Sequence, residues 1–235
     1  LQRESKYYNE TCAAISMVYL FERMFLLHGE SKYIDCMERT LYNGVISGMS
    51  MDGGRFFYPN PLSSDGKYAF NADGNTTRQP WFGCACCPSN LCRFIPSVPG
   101  YLYGVKDNNI YVNLFAGNTS TIKVNGKDVV LEETTEYPWN GDIKIAVKKS
   151  GVKNANLLVR IPGWVRNQVV PSGLYKYSDA EKPAYTVTIN GKAVEADLDA
   201  NKGYLPVKNI KKGDVIRIHF DMPIRTVVAN GKVAD

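Results

Sequence analysis

The sequence predicts an α+β chain: a helical and mixed segment over residues 1–99, then an antiparallel β-sandwich over residues 100–235. Three observations carry this. Apolar residues from Thr11 to His28 recur at three- and four-residue steps, as one helix face requires. From Tyr101 onward, short runs alternate or stay apolar in the manner of strands. Asn-Gly, the strongest short hairpin signal, recurs at 125–126, 190–191 and 230–231.

The first helix spans Thr11 to His28 and turns Ala14, Met17, Val18, Phe21, Met24 and Phe25 to one side. Asn9 suits its cap, and Gly29 suits the left-handed residue that ends it. A second helix runs from a Ser31 cap to Asn43, stopped by Gly44. Two helices so closely linked form one hairpin of a helical array, which buries its faces only against further helices. Asp52-Gly53-Gly54 then reads as a tight turn ahead of the strand formers Phe56, Phe57 and Tyr58. Pro88 belongs in the first turn of a third helix through Leu91, Cys92 and Phe94. Pro96, Pro99 and Gly100 mark a junction near residues 98–100. Beyond it YLYGV, NIYVNLF, STIKVNGK, DIKIAVK, NLLVRIP, AYTVTINGK and DVIRIHFD are the strands of the sandwich.

Composition narrows the function classes. The chain of 235 residues is 44% hydrophobic and 22% charged, which is ordinary for a globular protein. No stretch approaches the ~18 unbroken apolar residues of a membrane span, so no membrane partner is expected. The net charge of +5 falls wholly in the strand-rich half, where Lys144, Lys148 and Lys149 alternate with apolar residues. Lysines so placed decorate a sheet, and no basic cluster interleaves with aromatics; nucleic acid is not expected as a partner.

Chemistry concentrates in the cysteines. All 6 lie at or before position 92, and three stand in the string GCACCPSN as Cys84, Cys86 and Cys87. Adjacent cysteines make poor disulfide partners, which turns attention to metal or thiol chemistry. Glu10 and Cys12, two apart in YYNETCAA, complete a set of one carboxylate and three thiols. Zinc takes four such ligands tetrahedrally. On spacing alone two readings stand, a shared zinc site or simple buried cysteines. A helix start at Cys86 and Cys87 would also lower their thiol pKa values.

The strings YNETCAA, MDGGRFFYPNPL and GCACCPSN, in this order and ahead of a strand-rich half, resemble glycoside hydrolase family 127, the beta-L-arabinofuranosidase family. The resemblance implies that residues 1–99 are the end of an alpha/alpha six-hairpin barrel carrying the active site. Residues 100–235 would then be a beta-sandwich. It also implies zinc held by Glu10, Cys12, Cys86 and Cys87, with Cys86 as nucleophile of a retaining mechanism. The partner is then a carbohydrate, an arabinofuranoside-containing plant glycan or glycoprotein sugar. Tyr58 is a candidate for the sugar site; packing in the core is the competing role. The family's acid/base glutamate falls upstream of Glu10, before Leu1, since Glu4 stands too close and lacks the glycine context. The chain is therefore read as a piece of a longer enzyme, inactive alone. Its open helical array should expose Met17, Phe21 and Phe25 to self-association. Bacterial cytoplasm and periplasm both remain open as locations.

The other singled-out residues have plainer expected roles. His28 caps a helix C-terminus, Cys36 and Cys92 are small buried hydrophobes, and His219 alternates within a strand. Trp81 and Phe82 flank the cysteine loop. Two competing functions remain: a carbohydrate-binding sandwich with a structural zinc site, displaying Tyr101, Tyr103 and Tyr111, and a thiol redox protein. The second lacks the CxxC of thioredoxin-like sites.

Overall fold

The computed structural model describes residues 8–233. Glu4 lies outside that range. The chain is α+β, with sheets that are antiparallel but for one pair of strands. Its contacts divide it into two compact units. The first takes the described residues of Leu1–Leu27, Tyr33–Pro99 and Asn230–Asp235; the second takes His28–Lys32 and Gly100–Ala229.

In the first unit, helix α1 (Thr11–His28) buries Ala14, Ile15, Val18 and Phe25. The apolar face is thus rotated from the expected one. Met17, Leu20, Leu26 and Leu27 are exposed, while Phe25 is in the core. By length and composition α1 could cross a membrane, with 28% of its apolar window buried. Gly29, at φ +64°, ends it as expected. The His28 carbonyl in its last turn accepts a hydrogen bond from Lys202 Nζ at 2.7 Å.

Helix α2 (Ser31–Thr40) does not stop at Gly44. It runs on through a π turn at Leu41–Val45 and a 3-10 turn at Ile46–Gly48. Gly44 serves close approach instead of termination. A Cβ placed there would stand 2.9 Å from the Cβ of Ala14, so only glycine lets the two helices pack this tightly. Ser31 lies buried at the start of α2, where its Oγ takes a hydrogen bond from Arg166 Nη2 at 2.9 Å. Gly53 turns the chain at φ +71°, and the flanks pair only as isolated bridges, Met49 with Phe56 and Phe56 with Gln79. Helix α3 (Cys86–Phe94) has Pro88 in its first turn, as expected.

The second unit holds twelve strands, and among the described residues no helix interrupts β1 to β12. Strands β1 (Tyr103–Lys106), β2 (Asn109–Val112), β6 (Asn156–Arg160) and β10 (Tyr204–Val207) form one sheet in the order β1-β2-β6-β10. Within it β2 and β6 run parallel, contrary to the fully antiparallel expectation. The larger sheet is antiparallel throughout, in the order β3-β4-β5-β11-β8-β9. Its members are β3 (Asn118–Val124), β4 (Lys127–Thr135), β5 (Asp142–Ser150), β8 (Tyr185–Ile189), β9 (Lys192–Ala193) and β11 (Val215–Phe220). A two-stranded ribbon pairs β7 (Tyr175–Tyr177) with β12 (Val227–Ala229).

Asn125-Gly126 and Asn190-Gly191 each close a two-residue hairpin with both residues at positive φ, the geometry that matches strand twist. Asn230-Gly231 does not: it follows β12 and joins no pair of described strands. Both large sheets feed one apolar cluster, including Ile110, Leu157 and Val159 from the first and Leu131, Ile145 and Ile218 from the second.

The aromatics proposed as a sugar platform are engaged elsewhere. Tyr103 donates its hydroxyl to Glu133 Oε2 at 3.0 Å, and Tyr111 meets the ring of Tyr204 edge-on. Tyr101, Tyr103 and Tyr111 are each half-buried.

Candidate metal centre

The segment Phe56–Asn60 holds the start of α1. Thr11 donates its backbone N–H to the Tyr58 carbonyl at 3.0 Å and its hydroxyl to the Phe57 carbonyl at 3.2 Å. The buried amide of Asn60 spans the same corner, donating to Thr11 Oγ1 at 2.9 Å and to the Gly44 carbonyl at 3.2 Å. Glu10 is thereby fixed one residue ahead of the helix, bridged to Pro59, and its carbonyl receives the first helical bond from Ala14. Cys12 then sits in the first turn.

The second pair of ligands arrives on α3. Asp73, itself in a left-handed conformation, accepts the Gly83 N–H at 3.0 Å and so anchors the loop ahead of Cys84. The Ala85 carbonyl takes both the backbone and the hydroxyl of Ser89, closing the first turn on Cys86 and Cys87.

These two helix starts converge. One donor atom from each of Glu10, Cys12, Cys86 and Cys87 lies within 4.8 Å of every other. The Cys12 and Cys86 sulfurs are 2.8 Å apart, and Glu10 Oε1 stands 3.7 Å from Cys86 Sγ and 3.8 Å from Cys87 Sγ. With metal–sulfur bonds of ~2.3 Å, a tetrahedron has edges of ~3.8 Å. Edges to an oxygen ligand bound at ~2.1 Å are nearer ~3.6 Å, which the two distances from Glu10 meet within about 0.2 Å, and the Cys12–Cys86 edge needs to open by about 1 Å. The donor set fits a four-coordinate cation.

Thiol electrostatics run against the expected helix-start effect. Burial pushes the thiols of Cys12 and Cys87 above the ordinary range, where the helix start was expected to lower that of Cys87. Left to themselves these sulfurs stay protonated at neutral pH, and a cation would reverse the balance.

Tyr58 stands at the rim. Its hydroxyl lies 3.9 Å from Cys84 Sγ, and contact with the Cys86 sulfur pushes the phenol pKa up. Phe82 is buried and meets the Tyr58 ring edge-on at 5.7 Å, while Trp81 is exposed. Cys84 and Cys92 are exposed and Cys36 is half-buried, so the expectation of a buried Cys92 fails. All six cysteines are free thiols.

Three residues here had no sequence signal of their own. Asn60 and Asn71 are buried amides in loops; Asn71 accepts the Tyr58 N–H at 2.8 Å and returns its amide to the Thr77 carbonyl at 2.8 Å. Asn90, on α3 one turn beyond Cys86, accepts Arg93 Nη2 at 2.7 Å.

The likeness to known proteins covers nearly the whole chain. The model of the beta-L-arabinofuranosidase GH127 catalytic domain matches residues 1–100, and that of the GH127 middle domain matches residues 109–222. A non-reducing end beta-L-arabinofuranosidase of Bifidobacterium longum subsp. longum is 31% identical over 96% of this chain and 32% of its own length. Among solved structures, a GH127 beta-arabinofuranosidase is 56% identical with a TM-score of 0.87, over 95% of this chain and 34% of that one. A GH127 beta-L-arabinofuranosidase from Geobacillus stearothermophilus T6 is 35% identical with a TM-score of 0.81, over 99% of this chain and 34% of that one. The chain thus spans about a third of the length of these relatives. Two domain models of one family, matched in order along the sequence, make this chain a member of glycoside hydrolase family 127.

Proposed function

We propose that this chain is the zinc-thiolate part of a retaining glycoside hydrolase acting on beta-L-arabinofuranosides of plant glycans or glycoproteins. The convergence of Glu10, Cys12, Cys86 and Cys87 on one point carries the reading. In this reading residues 1–99 are the C-terminal part of an alpha/alpha six-hairpin barrel and residues 100–235 are a beta-sandwich. Zinc held by the four residues would keep their thiols ionised at neutral pH.

Cys86 is the nucleophile: its sulfur attacks the anomeric carbon, the bond to the leaving oxygen breaks, and a thioglycosyl link forms. Tyr58, whose hydroxyl lies 3.9 Å from Cys84 Sγ, would bind the sugar in this reading. Water later releases the sugar and restores the thiol. The leaving oxygen needs a proton from a general acid, which this reading places outside the quartet. Loss of acid catalysis costs ~10²–10⁴ in rate, so this chain alone turns over unactivated substrates poorly.

An aryl arabinofuranoside with a good leaving group bypasses that need and tests the nucleophile directly. The zinc-loaded chain should acquire a sugar adduct on the peptide carrying Cys86, and Cys86→Ser should acquire none. An adduct elsewhere, or turnover that survives Cys86→Ser, overturns the assignment.

Self-association belongs to the same reading. The exposed stripe Met17, Leu20 and Leu27 on α1 is the face that other barrel helices would cover. Sedimentation should show concentration-dependent association that Leu20→Lys weakens, and a monomer at all concentrations would refute it.

A further inference from the structure

On the solvent side of the larger sheet, four strands each place one polar residue in a single row. Thr134 of β4 faces Lys144 of β5, which faces Arg217 of β11, which faces Thr188 of β8. Their neighbours Ile143, Ile145 and Ile218 point the other way, into the core, as strand alternation requires. At ~4.8 Å between strands the row is about 14 Å across. The next row along holds Asp142, His219 and Thr186. Together the two rows line an open recess of about 390 Å³.

Like charges directly opposite on neighbouring strands repel and destabilise a sheet. Lys148 and Lys149 of β5 avoid this by pairing, with Glu132 at 3.3 Å and Asp128 at 3.1 Å. Lys144 and Arg217 do not: among the described residues neither has an ion pair. The carboxylate in the next row, that of Asp142, is taken by His219, whose Nδ1 lies 2.7 Å from it. Asp221 meets the other ring nitrogen at 3.2 Å. We propose that this recess binds an acidic sugar, its carboxylate between Lys144 and Arg217 and its hydroxyls on Thr134, Thr186 and Thr188. The planar fork of arginine matches a carboxylate in two places, and lysine adds a second charge. Threonine hydroxyls both donate and accept, as the hydroxyls of a sugar require of their partners. The site lies wholly in the second unit and stands apart from the metal-centre reading.

The test titrates the whole chain by calorimetry with trigalacturonate, with neutral galactotriose and with inorganic phosphate. Trigalacturonate should bind tightest, and more weakly as salt rises. Arg217→Gln should weaken it by about tenfold or more, and Lys144→Gln by less, since only the arginine makes the two-point contact. Lys149→Gln, outside the recess, should leave it unchanged. Thr188→Val keeps the shape and drops the hydroxyl, so it should weaken trigalacturonate and leave phosphate as it was. Lys144 and Arg217 are exposed, and either glutamine relieves the repulsion between them, so both variants should melt no lower than the unsubstituted chain. A fall in melting temperature in both would assign the pair to the fold and overturn the proposal. Galactotriose binding as tightly as trigalacturonate would remove the cations from recognition, and phosphate binding as tightly would remove the threonines. Either result, unchanged affinity in Arg217→Gln, or no binding of trigalacturonate overturns the proposal.

Discussion

The sulfurs of Cys12 and Cys86 lie 2.8 Å apart across 74 positions of sequence, each delivered by the first turn of a different helix. A contact so long in sequence and so short in space makes both residues necessary to one site. Cys12→Ser should therefore weaken zinc by more than the ~10–100-fold of an outer-shell change. Cys92→Ser should leave affinity unchanged, since Cys92 is exposed and outside the quartet. Competition with a chromophoric chelator reads both, and equal affinities for the two variants would remove Cys12 from the ligand set.

Metal uptake should release protons. Burial holds the Cys12 and Cys87 thiols above their ordinary range, so both are protonated at pH 7 and must ionise to bind. The sign is then fixed: affinity rises with pH, by about tenfold per pH unit for each proton displaced. Calorimetry in buffers of differing ionisation enthalpy counts those protons. A count near zero at pH 7 would contradict the protonated thiols.

Glu133 gives the second unit its own pH response. Burial lifts its carboxyl to about 8, although Tyr103 and the Ala116 N–H both donate to it. The folded pKa exceeds the unfolded one, so the neutral acid favours the fold fully below the ordinary carboxyl value of 4.5, and that advantage is lost as pH rises to about 8. Each pH unit in that window removes up to about 1.4 kcal/mol. Glu133→Gln, neutral throughout, should flatten the fall relative to the unsubstituted chain. Parallel denaturant titrations at pH 5 and pH 8.5 compare them, and identical pH slopes would refute the account.

Gly44 and Ala14 should behave as a coupled pair. Adding a methyl at Gly44 brings it 2.9 Å from the Ala14 Cβ, and overpacking of this kind costs about 1–3 kcal/mol. Gly44→Ala should destabilise the first unit, and Ala14→Gly in the same chain should restore part of the loss beyond what additivity allows. Thermal melts of the four-member cycle measure the coupling. Additive effects would mean the helices simply move apart.

What was legible in the sequence was local. The turn at Gly53, the left-handed Gly29, the proline in the first turn of α3 and the hairpins at Asn125-Gly126 and Asn190-Gly191 depend on residues that constrain their own backbone. The quartet was legible as a candidate set from its ligand chemistry, which left simple buried cysteines open until the resemblance to the family chose between them. What escaped were relations between distant segments. Gly44 looked like a stop signal because its real partner, Ala14, is on another helix. Asn60 and Asn71 carry no motif, since an amide at a buried corner is chosen by the loops around it. The helix-start argument for Cys87 failed because burial, invisible in one dimension, acts more strongly and in the opposite sense.

The parallel pairing of β2 with β6 has a consequence for how the second unit assembles. Asn109 meets Asn156 only after the intervening segment, with all of β3, β4 and β5, has been brought round. Those three strands are joined by short connections and can zip as a local meander, whereas β2–β6 closes a long loop and must bear its entropy first. The larger sheet is therefore the natural folding nucleus and the four-stranded sheet its late addition. In pulse-labelled refolding, amides of Lys127–Thr135 should gain protection before those of Asn156–Arg160; the reverse order would place the nucleus in the smaller sheet.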